Sequence, residues 1–248
     1  EIARRALDVL DRAGELEPAP VLAGRTVVVT AGGTREPIDP VRFLGNKSSG
    51  RQGLAVAAAA ARAGASVRVI AANIDESVMA ALPSGVEVTR VGSACEMREA
   101  TMAQVIGADA LVMTAAVADF RPEAAQASKM KKDPTKTDAP TLRLVRNPDI
   151  LSEVGHSAIR PALVVGFAAE TGTDEEILAY GADKAARKGA DYIALNRVGA
   201  GVGFGDVPND IRLLDASGQI VGRYIGSKDE VAAGLVAQMA TFLDNLER

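Results

Sequence analysis

Three stretches of this chain concentrate residues able to grip an anion. The first is Thr30-Ala31-Gly32-Gly33-Thr34-Arg35-Glu36-Pro37-Ile38-Asp39-Pro40-Val41-Arg42, continuing to Asn46-Lys47-Ser48-Ser49-Gly50. Its glycines let backbone approach a ligand, and Ser48 and Ser49 stand where a helix start offers unpaired N–H groups to a phosphate. The same residues would also make a plain N-cap on a strand-to-helix loop. The second is Thr114-Ala115-Ala116-Val117-Ala118-Asp119-Phe120-Arg121-Pro122, whose small side chains leave room at a strand end. Asp119 adds one charge there, or simply caps the following turn. The third is basic: Lys129-Met130-Lys131-Lys132, with Lys136 beyond. Clustered lysines stabilise charge that builds on phosphate oxygens during nucleotidyl transfer, especially beside Mg²⁺, although most lysine runs are only solvated surface.

Other chemistries find little material. The chain has one histidine, His156, and one cysteine, Cys95, so neither a His-rich metal cage nor an intramolecular disulfide can form. Cys95 follows a strand at a helix start, where a packing role competes with an activated thiol; His156 sits near a helix end in a capping or surface position. Tyr180-Gly181-Ala182-Asp183-Lys184 matches the Tyr-x-x-x-Lys pair of short-chain dehydrogenases. That family's glycine spacing is missing from Ala31-Gly32-Gly33-Thr34, and Ala71-Ala72-Asn73 stands where an acidic ribose contact belongs. A nicotinamide-dependent reductase and a non-catalytic assembly module remain as alternatives to a phosphate-handling enzyme.

The elements that must position these stretches alternate regularly. Strands are expected at Arg25–Thr30, Ser66–Ala71, Val86–Val91, Ala110–Ala115, Leu142–Val145, Leu163–Phe167 and Tyr192–Asn196. Helices are expected between them over Gly50–Ala63 (closed by Gly64), Glu76–Leu82, Cys95–Ile106, Pro148–Val154 and Asp174–Lys188, with a last one from Lys228 to about Leu246. This alternation predicts a doubly wound, mainly parallel, Rossmann-like α/β sheet covered on both faces. Ile211–Leu214 and Gln219–Tyr224 are joined through Asp215-Ala216-Ser217-Gly218 and predict an added β-hairpin near the C-terminus. Residues 121–140 hold Pro122, Pro134, Pro140 and four lysines without a periodic apolar face, which predicts a long mobile loop, functionally a lid. Residues 1–23 read as an amphipathic leader helix carrying Ile2, Ala6, Leu7 and Leu10, then a Pro-containing linker over Glu15–Ala23; the single domain spans 24–248.

Composition sets the outer bounds. At 248 residues, 48% hydrophobic and 24% charged, the chain can bury a substantial core. Its net charge of −4 offers no general basic field for nucleic acid, so anions must be held by local clusters. Apolar runs such as Leu54–Ala61 fall far short of the roughly 20 residues of a membrane span. A single cysteine and no secretory signal fit a cytoplasmic location.

Taken in order, nine pieces resemble phosphopantothenoylcysteine synthetase. They are Thr30–Thr34, Glu36, Ile38-Asp39, Val41-Arg42, Asn46–Gly50, Ala115–Phe120, Lys129–Lys132, Asn147–Ile150 and Val165–Thr171, and the likeness extends from about Gly24 to the C-terminus. The resemblance implies a ligase that activates 4'-phosphopantothenate with CTP as an acyl-cytidylate, releasing pyrophosphate. L-cysteine then displaces CMP. It implies Asn46 contacting the phosphopantothenoyl chain and acting in conversion of the intermediate, and Arg42 reaching the neighbouring site of a homodimer. Ala115, Ala116 and Asp119 fall around pantothenate and nucleotide. Lys129, Asn147, Pro148, Asp149, Ile150, Phe167, Lys184 and Lys188 fall in the nucleotide pocket, with Asn46, Lys129 and Arg42 as the catalytic set. It further implies Mg²⁺ accompanying CTP, and an upstream flavoprotein decarboxylase domain, the only place for FMN, from which residues 1–23 lead.

Overall fold

The computed structural model describes residues 20–131, 139–170, 172–197 and 209–246. The expected leader helix over 1–19, Lys132 and Lys136 lie outside those residues. The last residues of the expected linker are described, and they are anchored. Leu22 is buried, and its N–H donates to the Ala63 carbonyl at 2.8 Å.

The central sheet has eight strands. Six run parallel: β1 (Thr26–Gly32), β4 (Ser66–Ala72), β5 (Glu87–Val91), β6 (Ala110–Met113), β9 (Leu163–Glu170) and β10 (Tyr192–Arg197). β11 (Asn209–Asp215) and β12 (Ile220–Gly226) join as an antiparallel hairpin, so the sheet order is β12-β11-β10-β9-β6-β1-β4-β5. The hairpin turn forms because Gly218 takes a φ of 81° and the Asp215 carboxylate accepts from the backbone of Ser217 and Gln219.

Alternation along β1 explains the two-sided cover. Val27, Val29 and Ala31 face one core with helix α1 (Arg51–Arg62) and the C-terminal helix α6 (Lys228–Leu246), while Val28 faces the other. That second core is closed by α3 (Ala94–Gln104), α4 (Ile150–Gly155) and α5 (Asp174–Lys188), through Met97, Val154, Ile177 and Ala185 among others. A short helix α2 (Glu76–Met79) seats Met79 in the first core. Each fully buried Leu or Val contributes about 1.5–3 kcal/mol, so a sheet buried on both faces is the largest stabilising element here. Among the described residues no helix is long and apolar enough to cross a membrane.

Two small ribbons were not foreseen. β2 (Arg35–Pro37) pairs with β3 (Phe43–Gly45), and β7 (Phe120–Pro122) pairs with β8 (Leu144–Arg146). The stretch expected as a free loop from residue 121 therefore starts and ends zipped together. The strand expected at Leu142–Val145 is shifted to Leu144–Arg146 and belongs to that ribbon rather than to the main sheet. The helix expected over Glu76–Leu82 stops at Met79, and Pro83 follows closely.

Candidate functional site

The strand order reverses between β1 and β6, both flanked by strands running the same way. At such a switch point the loops leaving two neighbouring strands diverge and open a crevice beyond their carboxyl ends. Here it opens between the Gly32–Thr34 turn and the Thr114–Asp119 loop, joined by a bridge from Gly33 to Ala116. The buried hydroxyls of Thr30 and Thr34 fix that loop: Thr34 Oγ1 accepts from the Ala118 N–H at 3.0 Å, and Thr30 Oγ1 from the Ala115 N–H at 3.3 Å. Two asparagines clamp the loop from outside. Asn46 Nδ2 donates to the Val117 carbonyl at 3.3 Å, and Asn147 Nδ2 to the Ala118 carbonyl at 2.8 Å.

Two cavities meet at this loop. The first, of about 770 Å³, is lined by Asn46–Gly53, Thr114–Val117, Asp119, Phe167–Glu170, Lys184, Asn196, Asn209 and Lys228. The second, of about 620 Å³, is lined by residues including Asp119, Arg146–Leu151, Phe167, Lys184 and Lys188. Ala115, Val117, Asp119, Phe167 and Lys184 line both and form a shared wall.

The start of α1 gives the first cavity its anion-binding character. Gly50 is the N-cap in a left-handed conformation, φ 77°, where a larger residue is strained. No side chain caps this end, and its first turn carries no acid, so the amide dipoles face the cavity uncompensated. The helix starts at Arg51, one residue later than expected, and Ser48 accepts from the Gly50 N–H at 3.3 Å. Gly53 allows the close approach: a Cβ there would lie 2.3 Å from Thr114 Oγ1 and 2.6 Å from Ala31 Cβ.

Lys184 dominates the shared wall. Burial depresses its pKa below the ordinary lysine value, against the opposing pull of Glu170, Asp119 and Asp149. Lys188 forms an ion pair with Asp149, the N-cap of α4, whose carboxylate also accepts from the Ser152 N–H at 3.2 Å. Burial opposes ionisation of Asp149, but the Lys188 contact and that N–H hold its pKa below the usual value.

Of the expected site residues, the structure gathers Asn46, Ala115, Ala116 and Asp119 in the first cavity, and Ala115, Asp119, Asn147, Pro148, Asp149, Ile150, Phe167, Lys184 and Lys188 in the second. The Asn147 side chain is engaged with the loop, since its Oδ1 also accepts from Arg121 Nη1 at 3.0 Å. Arg42 and Lys129 line neither cavity. Arg42 is tied to Asp39, with Nε 2.9 Å from Oδ2, and donates through Nη2 to the Met130 carbonyl at 2.8 Å. Asp39 also accepts from the N–H groups of Val41, Arg42 and Met130. Its fully buried carboxylate thus fastens the base of the lysine segment to the β2–β3 turn.

Tyr180 is 62% exposed and lines neither cavity, so the dehydrogenase-like pair is not assembled. His156 caps α4, with Nδ1 2.8 Å from the Ser152 carbonyl, as expected; Cys95 is half-buried rather than fully packed away. Asn196 carried no signal in the sequence beyond ending a strand. Among the described residues no donor reaches its buried Oδ1 in the first cavity, which marks a place for a ligand N–H or O–H.

A doubly wound domain with two adjoining cavities at its switch point, one facing an open helix start and the other two lysines, defines a Rossmann-like α/β protein with a crevice suited to anions. More particularly, the chain belongs to the family described as the DNA/pantothenate metabolism flavoprotein C-terminal domain, matched over residues 22–243. It is 45% identical over 228 residues to the coenzyme A biosynthesis bifunctional protein CoaBC of Mycobacterium tuberculosis, covering 90% of this chain and 53% of that protein. With the CoaBC of Mycolicibacterium smegmatis it shares 42% over 249 residues, covering 98% of this chain and 58% of the relative. The chain therefore spans a little over half the length of these relatives. The crystal structure of the C-terminal domain of a CoaBC protein matches with a TM-score of 0.73 at 30% identity, covering 92% of this chain and all of that one.

Proposed function

We propose that this domain joins 4'-phosphopantothenate to L-cysteine, using CTP and passing through an acyl-cytidylate. The observation that carries this reading is the shared wall. A ligase that activates a carboxylate must bring that carboxylate to an α-phosphate, and two cavities separated only by Ala115, Val117, Asp119, Phe167 and Lys184 provide that meeting point. Similarity to proteins named for coenzyme A biosynthesis supports the substrate assignment.

In this reading the phosphate of phosphopantothenate lies against the α1 start, and its carboxylate points at the shared wall. The nucleotide occupies the second cavity beside Lys184 and Lys188. Carboxylate oxygen attacks the α-phosphorus, pyrophosphate leaves, and Lys184 stabilises the charge gathering on phosphate oxygens. A preorganised donor of this kind contributes about 10²–10³ in rate. Cysteine nitrogen then attacks the acyl carbon from the first cavity and CMP departs. Among the described residues no three His, Cys, Asp or Glu side chains converge as a metal site, so Mg²⁺ would ride mainly on phosphate oxygens, where it neutralises triphosphate charge.

The domain acts as a homodimer in this reading. Val41, Phe43, Phe120 and Leu144 are 44–61% exposed on the two ribbons, an apolar surface beside Arg42 that pairing would cover. Arg42 lines neither cavity of its own chain, which suits a role in a neighbour's site. An upstream decarboxylase domain carrying FMN accompanies it in the full-length protein.

The test compares CTP, ATP, GTP and UTP with phosphopantothenate, with and without cysteine, and detects the acyl-nucleotide by mass. Pyrophosphate release and an acyl-cytidylate that cysteine discharges are expected. Absence of any acyl-nucleotide with all four triphosphates overturns the ligase reading.

A further inference from the structure

A ligation of this class has a third reactant, and nothing so far gives its amine a partner. An amino acid arrives as an ammonium ion, which cannot attack until a proton is removed. Among the described residues that line the first cavity, only Asp119 and Glu170 are acidic. Asp119 lies on the wall shared with the second cavity, whereas Glu170 lines the first alone.

The position of Glu170 follows from the strand. It is the last residue of β9, half-buried, in register with Arg197 of β10. Alternation places it on the same side as Ala168, which packs into the core closed by α5. Lys184 of α5 feels its charge more strongly than that of any other group. Glu170 therefore stands near the ammonium that marks the junction of the two cavities and lines the first of them.

We propose that Glu170 receives the incoming amine: its carboxylate pairs with the cysteine ammonium in the first cavity and takes the proton that frees the nitrogen lone pair. This rests on the ligase reading above. The freed lone pair forms the C–N bond at the acyl carbon, and the C–O bond to the nucleotide phosphate breaks. The surplus nitrogen proton leaves on the phosphate oxygen of the departing CMP. The proton on Glu170 passes to solvent, which readies the carboxylate for the next turnover.

Hydroxylamine separates this role from a structural one, because near neutral pH it attacks acyl phosphates without first losing a proton. With CTP and phosphopantothenate, Glu170→Gln should form hydroxamate within about 2-fold of the unaltered protein. With cysteine its kcat/KM should fall by about 10²-fold, the usual effect of losing a general base. That loss should shrink as pH rises from about 7 to about 9 and free amine becomes available, and Glu170→Asp should restore at least part of it at neutral pH. Equal losses with both nucleophiles, or no loss with cysteine, overturn the proposal. Failure of the unaltered protein to make CTP-dependent hydroxamate overturns the ligase reading instead.

Discussion

Lys184 shows how a single charged side chain can line a cavity at the expense of the fold. Its burial depresses its pKa, which means the charged form is disfavoured where it stands. Replacing it with glutamine should lower kcat/KM by about 10²-fold, as for other lost electrostatic donors, while leaving the melting temperature equal or higher. Steady-state kinetics beside thermal melting check both halves. Asp39 is the opposite case. Desolvation of its buried side chain opposes ionisation, but the N–H groups of Val41, Arg42 and Met130 and the Arg42 guanidinium outweigh that and hold its pKa far below the usual value. A group with a depressed folded pKa stabilises above its unfolded pKa, and the contribution fades as pH falls further. The unfolded value is about 3.9. Stability should therefore be flat around neutrality and decline below about pH 4, and Asp39→Asn should be destabilised near neutrality and lack part of that decline. Urea midpoints measured across the acid range decide it. None of this was visible in sequence, where Asp39 and Met130 are 91 positions apart and only the fold makes them neighbours.

The elements that present the cavity were largely readable, and the reason is length. Seven-residue β-branched strands and helices of eleven residues or more carry a full hydrophobic period, and they lie where the pattern placed them. The three-residue ribbons β2–β3 and β7–β8 carry none, and Pro37 and Pro122 inside them argue locally against strands. Glu170 ends β9 and Asn196 lies one residue before the end of β10, where cavity-facing and merely terminal residues look alike in sequence. Gly53 shows what packing adds. Alanine in a helix interior ordinarily gains up to about 1 kcal/mol over glycine, but overpacking costs about 1–3 kcal/mol. With Thr114 Oγ1 only 2.3 Å from the new Cβ, the second effect wins. Gly53→Ala should melt lower and raise KM for phosphopantothenate, because α1 must lift its N-terminus off β1 and β6. Unchanged melting and KM would show that the helix start is not tightly placed.

For the molecule as a whole, the exposed ribbon surface and the shared wall have separate consequences. Phe43→Ser combined with Leu144→Ser removes two large exposed apolar groups that touch neither core and line neither cavity, so each chain should stay folded. Sedimentation should report monomers, and ligation should fall with assembly if Arg42 serves a neighbour's site; a dimer of undiminished activity would place the interface elsewhere. The shared wall also makes the site open to a bridging inhibitor. Two fragments that each bind one cavity with a Kd near 1 mM contribute about 4.1 kcal/mol apiece, and a strain-free link across Ala115 and Lys184 brings their sum to roughly micromolar binding. A compound that mimics neither substrate well can thus become potent by straddling both, because the protein has placed two shallow hollows back to back.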